Sequence, residues 1–353
     1  MRILFAFLLL ITTTIQAQST YEPPRLSNPR SWTMVLFPDP QSYVKFARNQ
    51  PILELMTNWV VENRDSLNIG MVLCTGDLVE QNDIWNPDGV RTNQTSKQQW
   101  EAVARAFGKL DGKLPYILTT GNHDYGFRSA ENRKTQYWKY FPADKNYKTQ
   151  ELIRGVATNA DGNPSLENAS FEYVSPHGKK MLFLVLEFAP RDTMLNWAKQ
   201  EIAQPKYKDH EVVLLTHSYL NKNSEHITKE KYVLPNPNWG ADIFKKLVQP
   251  STNIRMVFSG HIGAPDDVKA HLGFRIDKNA SGKSVNQMTF NAQALGGGWH
   301  GNGGDGWLRI LEFLPDGKTV LVKTFSPLFA ISPSTRHLAW RTDPWDQFSF
   351  TLE

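Results

Sequence analysis

The amino-acid sequence predicts an α/β protein with two facing mixed β-sheets flanked by helices. Three observations support this fold class. Short apolar runs alternate with segments of helical spacing, most of these runs are apolar at every position, and strand follows strand beyond residue 283. Runs that are apolar throughout are typical of strands buried on both faces of a sheet. Two sheets packed face to face, with helices outside them, account for all three observations.

The N-terminal residues have a different character from the rest of the chain. Arg2 precedes the apolar run Ile3–Ile11, and Gln16-Ala17-Gln18 follows after three threonines. This layout is typical of a secretory signal peptide, and the run is far shorter than the about 20 residues of a membrane-spanning helix. We therefore predict a signal peptide over residues 1–18, no membrane anchor after its removal, and a periplasmic or secreted protein. Residues 19–353 are predicted to form one domain with a C-terminal β-rich extension.

The composition is that of an ordinary globular protein. Hydrophobic residues make up 40% and charged residues 21% of the chain, and the formal net charge is +4. No block of like charge is long enough to give a nucleic-acid-binding signature. The single cysteine, Cys74, cannot form an internal disulfide and is expected to be a small core residue. Composition leaves the oligomeric state open.

The predicted elements follow from these apolar runs and from helical spacing. The first strands are Trp32–Phe37, Met71–Cys74, Tyr116–Leu118, Met181–Phe188, Val212–Leu215 and Met256–Phe258. The helices between them are Ile52–Asn63, Gln98–Leu110, Thr193–Ile202 and Ala241–Val248. The later strands are Gln287–Leu295, Trp307–Phe313 and Thr319–Phe325, with Pro315-Asp316-Gly317 as a hairpin turn.

Two segments show neither the apolar runs of strands nor the spacing of helices. Residues 125–168 are polar and aromatic, which predicts an excursion over the surface, either a lid or a structural wrap. Residues 296–306 are rich in glycine but do not lead from a strand into a helix, as a phosphate-binding loop does. We expect this second segment to be a turn that lines a cleft.

Polar side chains follow the C-terminal ends of most predicted strands. They are Asp39, Gln41, Asp77, Asn122, His123, Asp124, His217 and His261. In an open α/β sheet, ligands bind at the edge formed by the carboxyl ends of the strands. A set of oxygen and nitrogen donors suits divalent transition metals. The sequence therefore predicts a metal site at this edge.

In order and spacing, these motifs resemble those of the calcineurin-like metallophosphoesterases. The family signature is Asp-x-His, Gly-Asp, Gly-Asn-His-Asp or Glu, a lone His and Gly-His-x-His, and the match spans roughly residues 32–326. The resemblance implies two metal ions bridged by Asp77. One ion would also be held by Asn122, His217 and His261, and all of these ligands are present.

The site of the other ion departs from the family pattern. The family would use Asp39, a histidine at position 41, Asp77 and a histidine at position 263, but this chain has Gln41 and Gly263. An amide oxygen is a weaker donor to Zn²⁺ or Mn²⁺ than an imidazole nitrogen. We therefore expect one firmly bound Mn, Zn or Fe ion. At the other site we expect weak occupancy, a metal that favours oxygen ligands, or no ion.

A replacement ligand for position 263 could come from His300 or Gln293. Neither residue belongs to a motif, and a histidine such as His300 in a glycine-rich loop is commonly an exposed side chain. The sequence leaves both residues open as the missing ligand.

The resemblance also implies a reaction. A metal ion lowers the pKa of bound water from about 16 to about 7, which favours hydrolysis of a phosphate ester by metal-activated water. His123 matches the family histidine that protonates the leaving oxygen, and Asp124 is expected to orient that ring. The motifs do not separate a phosphomonoesterase from a phosphodiesterase. The alternative is a catalytically weak or inactive metal-binding interaction module on the same fold, and a hydrolase of another substrate class stays open.

Overall fold

The computed structural model describes residues 21–353, so the signal peptide predicted over residues 1–18 lies outside the described residues. The strands of the described chain are β1 (Trp32–Phe37), β2 (Ile69–Cys74), β3 (Tyr116–Leu118), β4 (Ile153–Thr158), β5 (Pro164–Val174), β6 (Lys180–Val185), β7 (Glu211–Leu215), β8 (Ile254–Ser259), β9 (Leu272–Lys278), β10 (Ser284–Phe290), β11 (Leu308–Phe313), β12 (Thr319–Phe325), β13 (Trp340–Arg341) and β14 (Phe348–Thr351). The α-helices are α1 (Gln41–Val44), α2 (Gln50–Glu62), α3 (Ser96–Phe107), α4 (Tyr137–Tyr140), α5 (Tyr147–Gln150), α6 (Asp192–Ile202), α7 (Gly240–Ile243) and α8 (Pro327–Ala330). Within residues 21–353, no helix is both long enough and apolar enough to cross a lipid bilayer.

The strands form two mixed sheets, as the sequence predicts. The first sheet has the order β13-β12-β11-β1-β2-β3, with β14 also paired to β12, and β1, β2 and β3 run parallel. The second sheet has the order β4-β5-β6-β7-β8-β10-β9, and β6, β7, β8 and β10 run parallel. The C-terminal strands complete these two sheets and form no separate layer, because β10 joins the second sheet while β11 and β12 extend the first.

The parallel strands of the second sheet are buried on both faces. Along β6, Met181, Phe183 and Val185 belong to the core between the sheets, whereas Leu182 and Leu184 belong to a second cluster beneath α6 and α7. Successive side chains of a strand point to opposite faces, so both faces must be apolar. This burial explains why the predicted strands read as continuous apolar runs.

Helices α2 and α3 cover the outer face of the first sheet. The ring of Phe107 in α3 lies 5.5 Å from that of Phe37 in β1, and Trp59 in α2 lies 5.1 Å from Phe325 in β12. The arrangement is therefore a four-layer sandwich of helices, sheet, sheet and helices. The carboxyl ends of the parallel strands of both sheets meet at one edge of it.

The prediction of a surface excursion over residues 125–168 is wrong. This segment contains α4, α5, β4 and the first part of β5. The alternate residues of β4 are exposed because it is an edge strand, and β5 buries Glu167 and Asn168 among its side chains. Neither strand shows the apolar run that reveals the other strands. The predicted helix Ala241–Val248 also changes character, because α7 ends at Ile243 and continues as a π-helical turn.

We expect Phe183→Ala to lower the free energy of unfolding by about 3–5 kcal/mol, because it removes a fully buried ring from the core between the sheets. Urea denaturation of the purified protein measures this change. Phe127→Ala is the matched control, because Phe127 is 60% exposed and its loss should change stability by less than about 0.5 kcal/mol. Equal losses in the two variants would contradict the assignment of Phe183 to the core.

Candidate metal centre

Four donor groups from the two sheets converge at the common edge. Asp77 and Asn122 follow β2 and β3 of the first sheet, and His217 and His261 follow β7 and β8 of the second. Nε2 of His217 lies 3.2 Å from both Asp77 Oδ2 and Asn122 Oδ1. Nδ1 of His261 lies 2.9 Å from Asn122 Oδ1 and 3.3 Å from His217 Nε2. The structure thus brings together the four residues assigned to one ion.

In each of the two histidines, the outer ring nitrogen, which points away from the other donors, has a partner that fixes the tautomer. Nδ1 of His217 lies 2.7 Å from the carbonyl oxygen of Thr75, which only accepts, so Nδ1 carries the proton. Nε2 of His261 lies 3.0 Å from a carboxylate oxygen of Glu230 and must likewise donate. Both rings therefore turn an unprotonated nitrogen toward the centre.

The amide of Asn122 also turns its acceptor atom toward the centre. Nδ2 of Asn122 donates to Ser129 Oγ at 2.8 Å, so the amide oxygen faces the two histidines. The three lone-pair donors thus lie 2.9–3.3 Å from one another, and the carboxylate of Asp77 lies 3.2 Å from Nε2 of His217. An ion with bonds of about 2.1 Å separates its ligand atoms by about 3.0 Å in an octahedron and about 3.4 Å in a tetrahedron. The four donors therefore fit a divalent transition metal.

Glu230 contacts the centre, and the sequence prediction missed it. It lies in the irregular segment between β7 and α7, where no motif or period marks it. A carboxylate that accepts the outer proton of a metal-ligating histidine fixes the ring and makes its inner nitrogen more basic. The contact between Glu230 and His261 has this form.

Three buried carboxylates lie at or beside the centre, and no lysine or arginine of residues 21–353 forms a salt bridge with them. Burial tends to raise the pKa of Asp77, but His217 and His123 outweigh it and hold that pKa at about 2. Burial, together with the charge of Asp77, raises the pKa of both Asp39 and Asp124 well above the usual value. A bound cation would favour the charged forms of these groups.

The backbone at the centre is strained and closely packed. Asp77 has φ of 48° and His261 has φ of 76°, values that residues other than glycine seldom adopt and that concentrate at functional sites. A Cβ atom at Gly121 would overlap Asp77 Oδ1, and one at Gly260 would overlap Asp39 Oδ1. This close approach explains why glycine precedes the ligands Asn122 and His261.

His123 lies beside the donors without joining them. Its backbone N–H donates to Asp77 Oδ1 at 2.8 Å, and its ring Nδ1 lies 2.7 Å from the carbonyl oxygen of Glu80. Nδ1 therefore carries a proton, and the ring, which is only partly buried, keeps Nε2 for other contacts.

The prediction that Asp124 orients the ring of His123 is wrong. The carboxylate of Asp124 accepts from the backbone N–H of Val79 at 3.0 Å and of Gly121 at 2.7 Å. Asp124 thus ties the loop after β2 to the loop after β3, and the Glu80 carbonyl holds the His123 ring. Side chains of neighbouring residues in this short turn point in different directions, which adjacency in sequence does not show.

Comparison with known proteins agrees with this geometry. The model of the calcineurin-like phosphoesterase family matches residues 39–265, which contain all four donors and His123. The chain belongs to this family. Family membership indicates a metal-dependent phosphoesterase in general.

Two further likenesses accompany the family match. The chain is 29% identical over 307 residues to the uncharacterized protein YvnB of Bacillus subtilis, a match that covers 84% of this chain but 20% of that protein. This chain thus spans about a fifth of the length of that relative. A dimetal phosphatase from Danio rerio has a similar structure, with a TM-score of 0.50 and 10% identity over 92% of this chain and 100% of that one. The structural likeness shows that the two proteins share the fold.

Asp39 is held beside the centre by hydrogen bonds. Its Oδ1 accepts from Thr75 Oγ1 at 2.7 Å, and its Oδ2 accepts from the N–H of His261 at 2.9 Å and from Asn291 Nδ2 at 2.6 Å. Gln41 begins α1 and is buried, and within residues 21–353 its Oε1 meets no hydrogen-bond donor. Asn291, which follows β10, belongs to no motif and was missed by the sequence prediction.

The two candidates for the ligand missing at position 263 are placed differently. His300 is exposed and packs its ring 6.2 Å from that of Phe46. Gln293 is buried, and its Nε2 donates to the carbonyl of His261 at 3.4 Å. Of these two candidates, only Gln293 contacts a residue of the metal centre.

We expect Glu230→Gln to weaken divalent metal binding by about 10–100-fold, because the amide accepts less strongly from His261 than the carboxylate does. Titration calorimetry with Mn²⁺ measures the affinity. Glu225→Gln, five residues earlier and exposed, should bind Mn²⁺ as the unchanged protein does. An unaltered affinity in Glu230→Gln would show that this carboxylate does not support the ligand.

Proposed function

We propose that the chain is a metal-dependent hydrolase of phosphate monoesters or diesters that uses His123 as its general acid. The observation that supports this proposal best is the convergence of four lone-pair donors beside a histidine that is not among them. A centre with only a structural role would close its coordination and would have no use for an adjacent proton donor. A cation bound here supplies an electrophile for the phosphoryl oxygens and activates water for attack.

The contacts of His123 suit proton transfer to a leaving group. Its Nδ1 is engaged with the Glu80 carbonyl, so Nε2 is the atom that can hold and release a proton. The bond from its N–H to Asp77 Oδ1 keeps the turn beside a metal ligand. The acid and the metal centre therefore keep a constant separation, which general acid catalysis requires.

We expect His123→Ala to lower kcat for an alkyl phosphate by about 10²–10⁴-fold and to affect p-nitrophenyl phosphate much less. A poor leaving group needs a proton as its bond to phosphorus breaks, whereas p-nitrophenolate leaves unassisted. Steady-state assays of both esters with Mn²⁺, with bis(p-nitrophenyl) phosphate alongside, measure this difference and identify the preferred ester class.

The matched variants are His337→Ala, an exposed histidine outside the centre, and Asp77→Asn, which removes the ligand shared by both family ion positions. The first should retain full turnover, and the second should lose turnover of every ester. A folded and metal-loaded protein that hydrolyses none of the esters would support the non-catalytic binding module instead.

We also propose that the chain is exported, on the basis of the apolar run Ile3–Ile11 behind Arg2. Expression of the full chain in a bacterial host should give a periplasmic product whose N-terminal sequence begins near Gln18 or Ser19. Leu9→Arg interrupts the apolar run and should leave the uncut chain in the cytoplasm. A periplasmic fraction that lacks the protein would count against export.

A further inference from the structure

The most exposed large apolar side chains of residues 21–353 lie on loops at the edge of the sandwich that holds the metal centre. Val233 is 90%, Trp85 83% and Val90 72% exposed, and the other large hydrophobic residues of this range are less exposed. Trp85 and Val90 lie between β2 and α3, and Val233 lies between β7 and α7, so both loops follow strands whose carboxyl ends form this edge. Apolar side chains that are scattered singly over a surface are common, whereas several at one edge indicate a binding surface.

The segment that carries Val233 alternates between inward and exposed side chains. Glu230 turns inward and contacts His261 at 3.0 Å. Tyr232 and Leu234 also turn inward, and both pack in the same apolar cluster. The residues between them are exposed: Lys229, Lys231 and Val233. The contacts that support the metal centre therefore also hold lysines and a valine outward beside it.

A second loop presents Phe127 and Arg128 in a similar way. The carboxylate of Glu131 accepts from the backbone N–H groups of Phe127, Arg128 and Ser129 at 2.9–3.3 Å, which fixes the turn. Ser129 faces the centre and accepts from Asn122. Phe127 and Arg128 are exposed on the outside of the same turn. Their exposure is therefore a property of an ordered loop.

Hydrogen bonds join these loops into one surface. The N–H of Asp83, close to Trp85 in sequence, donates to the carbonyl of Phe127 at 3.1 Å. Nη2 of Arg133 donates to the carbonyl of Pro235 at 3.1 Å and so ties the turn to the alternating segment. We call the exposed side chains of these loops the outer patch, which consists of Trp85, Phe127, Arg128, Lys229, Lys231 and Val233.

The cations of the outer patch are not neutralised by neighbouring acids. Within the part of the chain that the structure describes, Arg128, Lys229 and Lys231 form no salt bridge. The carboxylates nearest to them in sequence are engaged elsewhere, Glu230 with His261 and Glu131 with backbone N–H groups. The outer patch therefore attracts anions.

This combination fits an anionic lipid surface better than it fits a protein or a nucleic acid. Lysine is depleted at protein interfaces, but it is favoured where a protein meets anionic headgroups. Trp and Phe rings suit the boundary between headgroups and acyl chains. Val233 is aliphatic and cannot stack on a base, as the rings of a single-stranded nucleic-acid site do.

We propose that the outer patch docks the protein on an anionic lipid bilayer. Its apolar side chains would enter the headgroup layer, and its cations would lie beside the lipid phosphates. The inward residues of the same loops contact the metal centre, so docking turns this centre toward the headgroups. The contact is peripheral and reversible. It concerns lipid binding and does not depend on the proposed hydrolase.

The test is co-sedimentation of residues 19–353 with vesicles that contain phosphatidylglycerol and phosphatidylcholine in equal amounts. Residues 1–18 are left out because their apolar run would itself bind lipid, and both sheets lie within residues 21–353. We expect the protein to bind these vesicles and to bind pure phosphatidylcholine at least about tenfold more weakly. Added salt should weaken the binding.

Two combined variants separate the charged and apolar parts of the outer patch. Replacement of its three cations, by Arg128→Gln, Lys229→Gln and Lys231→Gln, should lower the partition coefficient on the order of 100-fold. Replacement of its apolar side chains, by Trp85→Ser, Phe127→Ser and Val233→Ser, should lower it by at least about tenfold.

Matched control variants change the opposite edge of the sandwich. Val174 is 57% exposed and pairs with Lys180 at the start of β6, and Lys206 and Lys208 are exposed before β7. Val174→Ser, and the combination of Lys180→Gln, Lys206→Gln and Lys208→Gln, should bind the vesicles as the unchanged protein does. All the replaced side chains are exposed, so thermal unfolding should be alike in every variant.

Three results would overturn the proposal. The first is an unchanged protein that stays in the supernatant, and the second is a loss of binding in the control variants equal to that in the patch variants. The third is full binding by the apolar variant while the charge variant does not bind, because a general polyanion site needs no apolar side chains. Vesicle binding that follows the outer patch, without turnover of any ester, would support the proposal and contradict the hydrolase.

Discussion

The contact between Asp77 and His217 is the interaction on which the rest of the centre depends. It joins a carboxylate after β2 of the first sheet to an imidazole after β7 of the second, 3.2 Å apart. Each residue follows its strand by two or three positions, so their separation is set by how the two sheets pack. A shift of one sheet by one residue, about 3.3 Å, is as large as this distance and would take the two side chains out of contact. The apolar core that packs the two sheets together therefore sets the distance between these two donor groups.

The centre also concentrates backbone strain and buried charge, both of which lower the stability of the fold. Two of the donor residues have positive φ, and three carboxylates are buried without a salt bridge to any lysine or arginine of residues 21–353. Conformations and charges of this kind persist only where the surrounding structure holds them in place. The two sheets and their glycine-flanked loops supply that support, and an ion at the centre would remove most of the electrostatic penalty.

Much of the fold follows from the sequence because the central strands are buried on both faces. The limits of β1, β3 and β12 agree with the apolar runs, and the placing of polar residues at strand ends correctly predicts that Asp77, Asn122, His217 and His261 meet. Edge strand β4 and the polar part of β5 escape this reasoning, because a strand with exposed or hydrogen-bonded polar side chains has no such run.

The residues that support the centre are harder to predict than its ligands. Glu230 comes from an irregular loop and Asn291 follows the end of β10, and only the packing of distant segments brings them to His261 and Asp39. Asp124 shows the opposite error, because its neighbour in sequence is not its partner in space.

The position of Glu230 has a consequence for how such a centre can change over evolutionary time. It touches the outer nitrogen of His261 from a segment that has no regular structure and crosses no sheet. Such segments tolerate substitution and changes of length better than strands do. The electron-donating strength of His261, and with it the Lewis acidity of a bound ion, can therefore be adjusted from a loop while every metal ligand is retained.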